Sequence, residues 1–74
     1  KDGRTDIVWY LNGAPHILVE CKAPSVKLSQ RTFDQAFNYN RTLKARWIWL
    51  TNGKKHLFWN AQANEQAEGI PKRV

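Results

Sequence analysis

Residues 16–24 read HILVECKAP, an apolar, β-branched run that closes on Glu20, Cys21 and Lys22 before Pro24. A strand alternates its faces, so Glu20 and Lys22 point the same way, two residues apart and opposite in charge. An ion pair at a strand end is one reading of such a triplet, and part of a metal site is the other. Upstream, Asp6–Leu11 (DIVWYL) has the same β-branched and aromatic character and stops at Asn12-Gly13-Ala14-Pro15. Two such runs around a glycine-containing turn form a hairpin. Ile7, Trp9 and Leu11 on one face and Val8 and Tyr10 on the other make both faces apolar, which predicts a hairpin central in a sheet covered on both sides.

Pro24 ends the second strand because it cannot donate to a ladder. Ser29 then stands as a helix cap, with Leu28 and Phe33 at the two positions of a hydrophobic staple. The helix is predicted from about Gln30 to Leu43, with Phe33, Ala36, Phe37 and Leu43 near one face. Arg46–Thr51, the turn Asn52–Lys55 and His56–Trp59 make a second hairpin. From Asn60 the chain turns polar, and Gly69, Pro71, Lys72 and Arg73 read as a tail. The expected organisation is therefore a core over residues 1–60 and a polar tail or linker over 61–74. The order strand, strand, helix, strand, strand gives an α/β (α+β) class, a mixed sheet with a helix packed on at least one face.

The bulk composition narrows the chemistry. With 74 residues the chain is one domain or a piece of one, burying only about 60% of its unfolded surface. One cysteine and two histidines supply neither a disulfide framework nor a tetrahedral zinc set, so Cys21 reads as a small buried residue in a reducing cytosol. His16 and His56 show no ligand spacing. No run approaches the roughly 20 apolar residues of a membrane span and no signal peptide leads the chain, so a cytoplasmic protein without a membrane partner is expected. Twelve Lys and Arg against six Asp and Glu leave a charge of +6, which favours a polyanionic partner. Lys27, Arg31, Lys54 and Lys55 are the candidates for nucleic-acid binding, with Lys44 and Arg46 as further members of a basic surface. Trp47, Trp49 and Trp59 read as core or interdomain surface.

Three features line up: Asp6 at the start of the first strand, Glu20-x-Lys22 near the end of the second, and Gln35-x-x-x-Tyr39 on the helix. A hairpin lays Asp6 beside the Glu20 strand, and the following helix packs over the same end. Two converging carboxylates repel each other unless a cation lies between them. Oxygen donors of this kind suit Mg²⁺. Lys22 would then act on the attacking water or on a phosphate oxygen. Sharing one metal imposes a register: if Leu11 paired with His16 in a regular ladder, Asp6 would oppose Cys21 and Glu20 would face away. An odd loop or a β-bulge between Leu11 and Ile17 is predicted.

With Gly3-Arg4-Thr5-Asp6-Ile7-Val8, Val19-Glu20-Cys21-Lys22-Ala23-Pro24, Gln35-Ala36-Phe37-Asn38-Tyr39-Asn40 and Leu50-Thr51-Asn52-Gly53 in that order, the sequence resembles the PD-(D/E)xK nuclease superfamily. Within it, the likeness is to the N-terminal nuclease domain of type I restriction enzyme R (motor) subunits. The resemblance implies a restriction-endonuclease-like core, truncated at its N-terminus, in which Asp6 and Glu20 hold Mg²⁺, Lys22 is the catalytic lysine, and Gln35 and Tyr39 are an accessory catalytic motif. Thr5 stands where the motif name has Pro. The implied substrate is double-stranded DNA, the implied partners are modification and specificity subunits of a restriction complex, and ATP enters only through a motor domain outside this chain. The alternative is a noncatalytic basic module that binds nucleic acid or a protein and keeps the nuclease fold as scaffold.

Overall fold

Asn12 and Gly13 both take positive φ, 53° and 81°, which is the two-residue turn whose twist matches a hairpin. In the computed structural model, which describes residues 5–69 with side chains from residue 7 onward, this turn joins β1 (Thr5–Leu11) to β2 (Ala14–Cys21). Gly3, Arg4, the Asp6 side chain and Pro71, Lys72 and Arg73 lie outside the described residues. The loop is tighter than the sequence suggested, because Ala14 and Pro15 already belong to β2.

The ladder starts as Leu11↔Ala14 and Tyr10↔Pro15, then shifts to Trp9↔Ile17, leaving His16 as the extra residue of a β-bulge. Pro15 has no N–H to give, so interrupting the ladder beside it loses little. The shift brings Asp6 opposite Glu20, as the shared-metal argument required.

Helix α1 spans Gln30–Leu43, starting after an extended Ser29. The Ser29 N–H donates to Thr32 Oγ1 at 2.8 Å, half of a capping box with Thr in the usual Glu position. The helix ends at Lys44, which takes a left-handed conformation (φ 62°) and donates its N–H to Asn40 O at 2.7 Å. As a crossover, α1 allows β3 (Trp47–Thr51) to lie parallel to β2, with Ile17↔Trp47 and Glu20↔Leu50 in register. β4 (His56–Asn60) returns antiparallel, and a short β5 (Glu65–Ala67) adds to it in the stretch expected to be tail or linker. The result is a mixed five-stranded sheet in the order β1-β2-β3-β4-β5.

The core lies between α1 and one sheet face, where Leu18, Ile48, Leu50 and Ala36 are fully buried. Trp59, half-buried, stands edge-on to both Phe33 and Phe37, with ring centroids 5.4 and 5.3 Å away, so this tryptophan packs the sheet against the helix. The expectation of a doubly covered hairpin is corrected here. β1 is an edge strand of the described sheet, and Ile7 and Trp9 on the face away from α1 are 43% and 61% exposed. The helix stripe also differs from the expected one, since Thr32 and Asn40 are buried along with Ala36. Asn40 serves the backbone: its Nδ2 donates to Ala45 O at 3.0 Å, and its Oδ1 accepts the Ala45 N–H at 2.8 Å. No helix among the described residues is long and apolar enough to cross a membrane.

Asn52 has the corresponding role at the other end of the sheet. Buried, it donates from Nδ2 to Val26 O at 2.7 Å and accepts the N–H groups of Lys54 and Lys55 at 2.9 and 2.8 Å. It thereby ties the β2–α1 loop to the β3–β4 turn. Asn52→Ala leaves three backbone groups without this partner and is expected to cost about 2–4 kcal/mol. Urea denaturation checks this as a lower midpoint at unchanged slope.

Candidate active site

Strand alternation puts Leu18, Glu20 and Lys22 on the α1 side of the sheet, and the parallel pairing makes β2 and β3 finish at the same end. Glu20 thus falls in the core layer, 1% exposed, at the edge where the helix begins. Burying an isolated carboxylate is costly, and a paired cation offsets the cost. Lys22 Nζ lies 3.8 Å from Glu20 Oε2, with only 11% of its side chain exposed. The same Nζ donates to Gln35 Oε1 at 3.2 Å, one turn into α1. Its backbone is fixed as well, the Lys22 N–H donating to Thr51 O at 2.8 Å. The ammonium is thereby held between a strand carboxylate and a helix amide.

The structure brings Glu20, Lys22 and Gln35 together and sets the Asp6 backbone directly opposite Glu20. Tyr39 stands apart: one turn beyond Gln35, it is 47% exposed and joined to the others by no hydrogen bond among the described residues. Lys27 in the β2–α1 loop, Arg31 in the first helical turn, and Lys54 and Lys55 in the β3–β4 turn are all exposed and ring this same end. Sequence reasoning took Asn52-Gly53 for a plain turn, whereas Asn52 is the brace between two of these basic loops. An Asn-Gly pair straight after a buried strand and just before two lysines was the available signal.

Among the described residues no three His, Cys, Asp or Glu side chains cluster as a metal cage. Mg²⁺ needs none, because it keeps several waters and takes one or two carboxylates from the protein. Two carboxylate-bearing residues at opposed register positions, Asp6 and Glu20, would offer hard oxygen donors in that number, so the residue types present fit the ion.

No curated protein and no solved structure matches the chain. A family model described as type I restriction enzyme R protein N terminus matches residues 1–72. With nearly its whole length matched, the chain belongs to the family of type I restriction enzyme R protein N-termini.

Proposed function

We propose that this chain carries the catalytic centre of a Mg²⁺-dependent endonuclease of the PD-(D/E)xK kind, which hydrolyses phosphodiester bonds of double-stranded DNA. The supporting observation is the bulge-shifted register that opposes Asp6 to Glu20 while Lys22 lies 3.8 Å from Glu20 and is held by Gln35. Asp6 and Glu20 would hold the ion, which supplies Lewis acidity toward a phosphate oxygen when bound. Lys22 brings a positive charge to the oxygen on which negative charge develops as water adds to phosphorus. Gln35 fixes the direction of that charge, and Tyr39, exposed on the same helical side, is available to a phosphate rather than to Lys22. The four basic residues around this end would lie along the backbone of the duplex.

In this reading the chain works in the cytoplasm with modification and specificity subunits, and base selection belongs to the latter. The +6 charge supports a polyanionic substrate. Incubating supercoiled plasmid with the full-length protein, in complex with its modification and specificity subunits and supplied with ATP, tests the proposal. Nicked and linear forms are expected in Mg²⁺ and are expected to vanish in EDTA. Plasmid retained on the protein but uncut in Mg²⁺ would make the noncatalytic module the better account.

A further inference from the structure

We infer that the groove at the opposite end of the sheet, lined by Arg41, Lys44 and Arg46, is a second phosphate-binding site that takes the backbone of duplex DNA away from the point of cleavage. It has a volume of about 380 Å³ and is completed by Asn40, Ala45, Ala61 and Gln62. No carboxylate lines it, and among the described residues none of its three cations is engaged in an ion pair. The adjoining concavity, which shares Arg41, does contain Asp34, so the acid-free lining is local to this groove.

The frame beneath the cations is fixed. Asn40 holds Ala45 by two hydrogen bonds, and the Ala61 N–H donates to Arg46 O at 2.8 Å, locking the α1–β3 loop to the chain leaving β4. The C-terminus of α1 contributes about half a negative charge, which opposes an anion. Three formal positive charges outweigh it, and the Lys44 N–H already occupies the Asn40 carbonyl.

Placement argues for a duplex. Arg46, in the bend just before β3, precedes Leu50, the partner of Glu20, by four residues, which is at most about 13 Å of strand rise. A duplex covers that span in about four base pairs. One bound duplex can therefore meet the acidic end and the groove together, with the groove supplying hold and no chemistry. The inference rests on reading the chain as a DNA-acting domain.

The test measures binding without divalent metal, so it does not depend on cleavage. A fluorescent duplex of arbitrary sequence is titrated with full-length protein over a range of salt. The triple change Arg41→Gln, Lys44→Gln, Arg46→Gln is expected to weaken binding about 10- to 100-fold at 0.1 M salt and to lower the salt slope by about 2 to 3. Arg41→Lys with Arg46→Lys is expected to retain the wild-type slope. An unchanged affinity and slope in the triple variant overturns the inference, even for a protein that cuts DNA. Inorganic phosphate that binds the wild type and not the triple variant, while duplex affinity is the same in both, would assign the groove to free phosphate and overturn the duplex assignment. Failure of the nuclease reading has a separate signature, a wild type that binds the duplex with the groove-dependent slope and leaves plasmid uncut.

Discussion

Lys22→Ala in the full-length protein is expected to reduce plasmid cleavage at saturating DNA by about 100-fold or more, with little change in DNA affinity. That is the range for removing a positioned acid–base or electrostatic group, which acts in the transition state and not in the ground-state complex. The geometry points to this split, because the Lys22 side chain is largely buried against Glu20 and Gln35 and adds little to the exposed basic surface. Removing it also leaves Glu20 buried without this counter-charge, so the folded fraction is measured alongside by circular dichroism. Lys22→Gln, closer in size, separates lost charge from lost packing. Lys54→Ala with Lys55→Ala should do the reverse, lowering the salt slope by about 1 to 2 while single-turnover cleavage of saturated DNA stays near wild type. Cleavage by Lys22→Ala at the wild-type rate would remove Lys22 from the chemistry.

Glu20→Gln and Asp6→Asn are each expected to weaken Mg²⁺ or Mn²⁺ binding about 100-fold. A divalent ion and a carboxylate oxygen about 2.1 Å apart attract by about 4 kcal/mol even at the dielectric constant of water, and a replacing water recovers only part of this. Each amide keeps the shape of the acid it replaces, so the effect belongs to charge and not to a cavity. Glu20→Gln also removes a buried charge from the core layer, which spares the fold a desolvation cost. Titration calorimetry on the full-length protein gives the affinities directly. Unchanged binding in both variants would exclude these residues as ligands.

Local signals were legible where one residue type satisfied one physical need. Ser29 after Leu28 marked the start of α1, and the helix runs over the expected Gln30–Leu43. The bulge was legible through a geometric demand, that two acids on one hairpin share a face, though not through its position beside Pro15. What escaped depended on partners distant in sequence or on backbone alone. β5 is three exposed or half-exposed residues joined to β4 by its ladder, with no apolar alternation to betray it. Apolar residues on both faces of β1 could not say that it would be an edge strand, because pattern reports polarity and not neighbours. Asn40 was not among the residues expected on the packed face of the helix, and its burial comes from the αL turn at Lys44, which brings Ala45 back to it. In the candidate site, Glu20 beside Lys22 follows from strand alternation. Lys22 meeting Gln35 follows from no spacing rule, since the docking of α1 on the sheet decides it.

The bulge at His16 gives β2 one residue more than its ladder with β1 requires. With a two-residue turn and no bulge, opposed residues are separated by an odd number of positions, whereas the separation of Asp6 and Glu20 is even. The spare residue therefore makes length changes in this hairpin asymmetric. Losing residue 16 closes the bulge and leaves every pair from Trp9–Ile17 to Asp6–Glu20 as it stands. Gaining one residue at the same place has no slack to draw on, and either a second bulge forms or position 6 on the edge strand β1 turns to the face of the sheet opposite Glu20, which its pairing with β3 holds in place. Over evolutionary time the hairpin is thus free to shorten by one at this position and constrained against lengthening by one, a bias in insertions and deletions set by the pleat of a single strand.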